Sequence, residues 1–316
     1  MSLNVAYQMD PMEGLSIAGD STFALMLSAQ ARGYTNYHYT PEQLNYADGR
    51  VWVTARPVTV QRVAGDHFRF GDPVRLDLAQ DVDVVLMRQD PPFDLGYITA
   101  THLLERVRDK TLIVNDPVSV RNAPEKMFVL DFAQFMPPTL ITRTLDEVRA
   151  FHRAHGQIVI KPLHGNAGSA VMHIGPDGKN LAALTELFGE VWKEPFMAQA
   201  FIPDVASGDK RIVLIDGEVA GAINRIPGSG EIRSNLAAGG RAEATQLTPG
   251  EQAICDAIGA ELKARGLLFV GIDVIGGRWL TEINVTSPTG IVVMDAFNGT
   301  DTPGHIWTVI EGKLGQ

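Results

Sequence analysis

The chain reads as an α/β protein, an N-terminal open parallel-sheet domain followed by two α+β units. Three observations predict this. Short apolar runs alternate with amphipathic stretches over the first third. One of those runs, Val82 to Met87, is nearly continuous, as a strand buried on both faces should be. From about Ala123 onward, strands and single helices alternate in two further blocks, the second holding a hairpin.

The elements follow in order. Asn4 to Tyr7 is expected as a strand and Asp20 to Arg32 as a helix, capped by Asp20 or Ser21 and stopped at Gly33. After the Val82–Met87 strand come a helix from Ile98 to Arg108 and a strand from Thr111 to Val114. Val51 to Arg75 breaks the rhythm and reads as an irregular or antiparallel insertion. In the second block, Glu125 to Phe132 is a short helix and Thr139 to Thr142 a strand. Thr144 to Glu147 is a capping box opening a helix to about His155. Strands at Gln157–Lys161, Ala170–Ile174 and Phe196–Phe201 flank a helix at Asn180–Val191. In the third, Asp216-Gly217 turns strand Arg211–Ile215 into Val219–Arg225. Pro227 to Glu243 reads as a mobile surface loop, Thr248 opens a helix to about Arg265, and strands Phe269–Ile275 and Trp279–Val285 close the pattern.

Composition narrows the function classes. With 316 residues, two domains are expected. A net charge of −10, from 27 basic and 37 acidic residues, argues against a nucleic-acid binder held by phosphate contacts. A small polyanion in a focused basic cleft remains open. The single cysteine, Cys255, excludes an internal disulfide and a thiolate cage. Residues 1–9 show no secretory signal pattern, and no apolar run is long enough to span a membrane. A cytoplasmic protein with no membrane partner is expected.

Four constellations carry candidate chemistry. In the last strand pair, Glu282 and Asn284 are two apart and share a face. A two-residue turn at Gly277-Arg278 would set Asp273 opposite Glu282. Like charges placed so need compensation, and hard oxygen donors suit Mg²⁺. The competing reading is a plain solvent face. Second, Lys161 ends a strand and runs into His164-Gly165-Asn166-Ala167-Gly168, a loop whose amides could cradle phosphate. It lacks Walker and dinucleotide spacing, so an ordinary hairpin loop competes. Third come the cations Lys126, Lys210, Arg211, Arg225, Arg233 and Arg241. Each alone reads as solvated surface, but arginines on a glycine-rich loop can close over an anion. Fourth, Arg88 and Asp90 follow a buried strand at the end where open α/β sheets bind ligands, and would suit a zwitterion. A turn fixed by Pro91-Pro92 explains them equally. No Gly-x-Ser-x-Gly elbow and no metal-binding histidine spacing occurs. His102, His152, His155 and His305 read as surface or capping residues.

The order of these pieces resembles the ATP-grasp superfamily. Met9-Asp10-Pro11, Leu86-Met87-Arg88-Gln89-Asp90-Pro91-Pro92-Phe93-Asp94, Gly208-Asp209-Lys210-Arg211, Asn235-Leu236-Ala237-Ala238-Gly239-Gly240-Arg241 and Thr281-Glu282-Ile283-Asn284-Val285 narrow it to bacterial glutathione synthetase. The resemblance runs from about residue 4 to residue 290. It implies an N-terminal domain of residues 1–122 and an ATP-grasp domain of 123–316, divided into a central subdomain (123–201) and a C-terminal one (202–316). It implies ligation of γ-L-glutamyl-L-cysteine and glycine, with ATP going to ADP and phosphate through an acyl-phosphate. By the same resemblance Lys126, Lys161, Gly165, Asn166, Gly168 and Gln199 would bind ATP. Asp273, Glu282 and Asn284 would hold two Mg²⁺, with Mn²⁺ as a substitute. Arg211 and Arg225 would be catalytic. Arg88, Asp90, Arg233, Asn235, Arg241 and Ser287 would bind the peptide substrate. A homotetramer is implied too. Two departures stand out. His164 and Ala167 replace an acidic residue and a glycine of the usual phosphate loop, and the stretch Asp295 to Gly304 reads as divergent and loop-like. Another ATP-grasp ligase with a different amino-acid or peptide substrate is the nearest rival, and a nucleotide-binding protein without catalysis the next.

Overall fold

A computed structural model of the chain describes residues 2–165, 168–236 and 239–315. The first sheet is built from β1 (Asn4–Gln8), β2 (Thr35–Tyr39), β3 (Leu44–Ala47), β4 (Arg50–Val60), β5 (Phe68–Phe70), β6 (Val74–Asp77), β7 (Val84–Met87) and β8 (Leu112–Val114). Helices α1 (Ser21–Ala31), α2 (Leu95–Glu105) and α3 (Pro117–Arg121) complete that part of the chain. Strands β2, β1, β7 and β8 run parallel in that order. The sheet as a whole is mixed rather than parallel. The stretch from Val51 is the long strand β4, which pairs antiparallel with β2, β3, β5 and β6. Alternate residues of β4 (Val51, Val53, Ala55) are buried, the period-2 signature of a half-covered strand. Helix α1 starts where expected, because the Asp20 carboxylate accepts from the Phe23 amide.

A second, antiparallel sheet runs β11-β10-β12-β9, with β9 (Thr139–Thr142), β10 (Ile158–Pro162), β11 (Met172–Ile174) and β12 (Phe196–Ala200). Helices α4 (Leu145–His155) and α5 (Leu181–Val191) cover it. The segment before it is not the expected α-helix. Residues Phe128–Phe135 form a kinked 3-10 stretch, and Lys126 lies in the turn ahead of it. His152 is likewise not a surface residue. It is buried, and its Nε2 lies 2.8 Å from the Gly175 carbonyl.

The third sheet runs β15-β14-β13-β16-β17, with β13 (Asp209–Ile215), β14 (Glu218–Ile226), β15 (Arg241–Ala244), β16 (Phe269–Ile275) and β17 (Trp279–Asn284). Helix α6 (Pro249–Ala264) follows β15, opened by the Thr248–Glu251 capping box. The end of the loop read as mobile is therefore strand: β15 pairs with β14. The stretch after Gly290 is not loop either. It forms α7 (Ile291–Asn298) and α8 (Thr302–Lys313). Gly299 closes α7 with a positive φ of 66°, and Pro303 sits in the first turn of α8 under an Asp301 cap. No described helix is long and apolar enough to cross a membrane.

Candidate active site

The site grows from one row across the third sheet. Strand pairing sets Arg211 directly opposite Asp273, and Asp273 directly opposite Glu282. The Asp273–Glu282 register is the expected one, but the turn is not. Gly276 and Gly277 both take positive φ, Ile275 pairs with Trp279, and a bulge between Asp273 and Val274 restores the alignment. Asp209 is two residues before Arg211 and faces Arg225 on β14. Asp209, Arg211, Arg225, Asp273, Glu282 and Asn284 thus share one face. Gly271 leaves room for this row, since a Cβ there would lie 3.1 Å from Arg211 Cδ.

The row is tightly charge-paired. Arg211 Nε and Nη2 donate to the two Asp273 oxygens at 2.6 and 3.1 Å. Arg225 Nη2 lies 3.0 Å from Asp273 Oδ1 and 2.6 Å from Asp209 Oδ2. Burial pushes the Asp273 carboxyl up, but the guanidinium groups of Arg211 and Arg225 outweigh it and hold it well below the usual carboxylate range. Asp209 goes the other way, to about 6, because burial exceeds the pull of Arg225.

Lys126 joins the row to the phosphate loop. Its Nζ donates to the Gly165 carbonyl at 2.8 Å and stands 3.3 Å from Glu282. Lys161, at the end of β10, is 7% exposed, and burial pushes its ammonium down to about 8. Glu125 is a carboxylate the sequence reading assigned no role. Burial, then the neighbouring Glu282, raise it to about 7. His164 stacks on Phe93 with ring centroids 6.0 Å apart, which ties the loop to the N-terminal domain. Asn166 and Ala167, and with them any stiffening of the loop by Ala167, lie outside the described residues, as do Ala237 and Ala238 of the lid string.

Two cavities meet at this row. One is lined by Lys161, Gly168, Gln199, Asp209, Arg233 and Asp273, with apolar Val159, Val171, Ile202 and Ile232 forming a slot. The other is lined by Asp90, Glu125, Arg211, Arg225, Asn284 and Ser287. Glu282 and Asn235 border both. Most of the residues singled out from the sequence are therefore brought together, but three expected on the peptide-binding wall are placed otherwise. Arg88 backs the second cavity: it is buried, donating to Thr22 Oγ1 and the Pro288 carbonyl, with Nη1 lacking a partner among the described residues. Arg233 lies on the first cavity and pairs with Glu231. Arg241 lines neither, because pairing of β15 with β14 turns it outward, where it meets Glu243. Lys210 is also not solvated surface. It points to the opposite face and anchors α6 through Glu251 at 2.6 Å. Asp209 could have been found by its two-residue spacing from Arg211, whereas nothing in the sequence marks Glu125 as buried.

Asp273, Glu282 and Asn284 offer two carboxylates and a carboxamide oxygen on neighbouring strands. Glu282 shares Lys126 with Glu125, whose carboxyl is raised by burial first and by Glu282 second. That set of oxygen donors fits a hard divalent cation, with both Asp273 oxygens held in place by Arg211 and Arg225.

Comparison with known proteins agrees with this geometry. Residues 3–121 match the model of the prokaryotic glutathione synthetase N-terminal domain, and residues 125–299 that of the prokaryotic glutathione synthetase ATP-grasp domain. Glutathione synthetase of Agrobacterium fabrum is 54% identical over 98% of this chain and 97% of its own length. That of Shewanella oneidensis is 45% identical over 98% of both. Among solved structures, the D-cycloserine synthetase DcsG superposes with a TM-score of 0.70 at 16% identity, covering 98% of this chain and 99% of its own. The ATP-grasp ligase PsnB, solved with a phosphomimetic variant of its minimal precursor, Mg and ADP, gives 0.66 at 17% identity, covering 99% and 100%. These likenesses extend the fold, and the family matches cover nearly the whole chain: it belongs to the prokaryotic glutathione synthetase family of ATP-dependent ligases, built on the ATP-grasp fold.

Proposed function

We propose that the chain joins γ-L-glutamyl-L-cysteine to glycine, converting ATP to ADP and phosphate through an acyl-phosphate. The observation that carries this is the pair of abutting cavities. An apolar slot with a buried lysine suits a nucleotide, a cavity with two arginines and a serine suits a small zwitterionic peptide, and Glu282 and Asn235 are common to both walls.

In this reading Gln199 faces the base, and Lys126, Lys161, Gly165 and Gly168 hold the polyphosphate. Asp90, Asn235 and Ser287 take the peptide, with Arg88 supporting that wall from behind. Its carboxylate meets the terminal phosphate at the boundary of the cavities. There Arg211 and Arg225 face the charge that develops on the transferring phosphoryl group and on the tetrahedral carbon. Such a transfer needs positioned charge rather than a nucleophilic side chain, in keeping with a sequence that has no Gly-x-Ser-x-Gly elbow. Asp273, Glu282 and Asn284 would hold Mg²⁺, two ions with ATP and Mn²⁺ as a substitute, and the metal's role when bound is to neutralise phosphate oxygens. Asn235 and Leu236 of the lid close the second cavity and exclude water from the acyl-phosphate. The division of labour follows residues 1–122, 123–201 and 202–316. A cytoplasmic homotetramer belongs to the same reading, and sedimentation tests the assembly.

The first experiment incubates the protein with ATP, Mg²⁺ and γ-glutamylcysteine, with and without glycine, and follows phosphate and product mass. Tripeptide formed only when both substrates are present is the expected result. Nucleotide binding without turnover on this pair would overturn it and favour a ligase with another peptide or amino-acid substrate.

A further inference from the structure

We infer that Ser234, at the root of the lid, is a positioning residue whose hydroxyl latches the lid to Asp209, so that closing the lid and aligning Arg225 are one event. The inference rests on the ligase reading above.

Most of the described residues between Pro227 and Glu243 are half-buried or exposed, but Ser234 is 3% exposed. Its Oγ donates to Asp209 Oδ2 at 2.8 Å. The same oxygen accepts from Arg225 Nη2, and that nitrogen also reaches Asp273. A single chain of contacts therefore runs from the lid, through Asp209 and Arg225, to the centre of the charged row. The other Asp209 oxygen, Oδ1, is buried without a partner among the described residues, and Asp209 lines the nucleotide cavity.

Ser234 also sits where its position fixes both cavity walls. Ile232, Arg233 and Asn235 around it line the nucleotide cavity, and Asn235 and Leu236 line the peptide cavity. The lid meets the phosphate loop here too, since a Cβ on Gly168 would stand 2.7 Å from Asn235 Oδ1. The returning strand of the lid crosses directly over this point. The Gly240 amide donates to the Asn235 carbonyl, and a Cβ on Gly240 would lie 2.0 Å from the Ser234 carbonyl oxygen. A lid sealed only by half-exposed contacts would open freely. One charge-assisted hydrogen bond to a buried carboxylate shifts such an equilibrium by a factor of about 10 to 100. A lid that opens early admits water to the acyl carbon. The carbon–oxygen bond to phosphate then breaks, releasing the dipeptide carboxylate and phosphate, so ATP is spent without a new amide bond.

The test uses the full chain and the variants Ser234→Ala and Ser234→Thr. ADP and tripeptide are counted together, and cleavage after Glu231 by a glutamyl endopeptidase is timed with Mg²⁺ and a non-hydrolysable ATP analogue. In the wild type the ADP-to-tripeptide ratio should be one and cleavage slow. Ser234→Ala should raise the ratio severalfold and speed cleavage about tenfold, and Ser234→Thr, which keeps the hydroxyl, should restore both. A Ser234→Ala protein with unchanged ratio and unchanged cleavage overturns the latch, whatever its rate. A Ser234→Thr protein as leaky as the alanine variant also overturns it, because packing and not the hydroxyl would then hold the lid. A wild type that makes no tripeptide overturns the ligase reading instead, and the cleavage comparison still decides the latch.

Discussion

At the scale of single residues, the site concentrates charge that burial makes costly until substrate arrives. Lys161 is the clearest case. Burial pushes its ammonium down to about 8 from an ordinary value of 10.5, with Glu282 pulling it up and Lys126 pushing it down. The folded chain therefore releases this proton near pH 8 while the unfolded chain keeps it to about 10.5. The destabilisation is full below pH 8 and fades as pH rises to 10.5. A bound polyphosphate reverses the balance by supplying the missing negative charge. Lys161→Met should thus leave apo stability at pH 7 unchanged or higher while weakening ATP binding by about 100-fold, on the order of 3 kcal/mol. Calorimetric titration and a thermal melt check the two halves. Loss of both stability and affinity would mean that Lys161 is a structural ion-pair partner. Glu125 has the opposite sign. Its carboxyl is raised from 4.5 to about 7, by burial first and Glu282 second. The folded chain holds a proton that the unfolded chain has lost between those values, so stability falls as pH climbs from 4.5 to 7 and the cost is full above 7. Glu125→Gln should raise the apo melting temperature at pH 8 but not at pH 4.5, and the gain should shrink when Mg²⁺ and ADP are present. An equal gain at both pH values would remove the titration argument.

At the scale of elements, what the sequence revealed depended on whether a residue's role was local. The Thr248–Glu251 box and the Asp216-Gly217 turn follow from spacing within one or two elements, and each is found in the structure; the Asp273–Glu282 pairing is found too, but through a different turn and a bulge that spacing does not show. The stretch Asp295 to Gly304 reads as loop because Gly299, Pro303 and Gly304 have loop composition, yet these residues punctuate helix ends. Strand β4 reads equally as irregular or antiparallel because its partners on β2, β3, β5 and β6 are all separate segments, and pairing is not written in any one window. Burial of Glu125 and the outward turn of Arg241 are equally non-local. One non-local contact yields a sharp element-scale prediction. A Cβ on Gly259 of α6 would sit 2.2 Å from the Gly217 carbonyl oxygen, and one on Gly217 would sit 2.3 Å from that of Gly259. The helix and the β13–β14 turn touch backbone to backbone. Gly259→Ala gains about 1 kcal/mol of helix propensity, but it must push two backbones apart, at about 1–3 kcal/mol or more. The clash should win. Urea unfolding should show a lower midpoint with an unchanged slope, and a raised midpoint would show that the helix can slide away freely.

At the scale of the whole molecule, the three sheets are not equally joined. The first and third share two apolar clusters; in one of them Tyr7, Met26 and Leu86 belong with Ile223, Met294 and Trp307. Helix α8 closes onto α1 through the Trp307 Nε1 bond to the Leu25 carbonyl and the Arg32–Glu311 pair. Asn115, at the end of β8, bonds to the backbone of Phe269 and Val285. The central sheet instead has its own small core of Val148, Ile158, Ile160, Ile174, Phe188 and Phe196. It reaches the rest through a few residues such as Leu163 and Met197, the Lys126–Gly165 bond, and the lid against Gly168. Segments with few shared apolar contacts open below the global unfolding free energy. A nucleotide lying between the central and third sheets supplies the missing contacts and stabilises the joined state by about 2.7 kcal/mol at 100 times its dissociation constant. Without nucleotide, amide exchange in Ile158–Pro162 and Phe196–Ala200 should therefore proceed through an opening that spares β1, β7, β13 and β16. With Mg²⁺ and ADP, the central strands should slow by up to about 100-fold and approach the rest. Uniform protection across all three sheets before nucleotide is added would mean that the clasp is rigid, and entry to the slot would then fall to the lid alone.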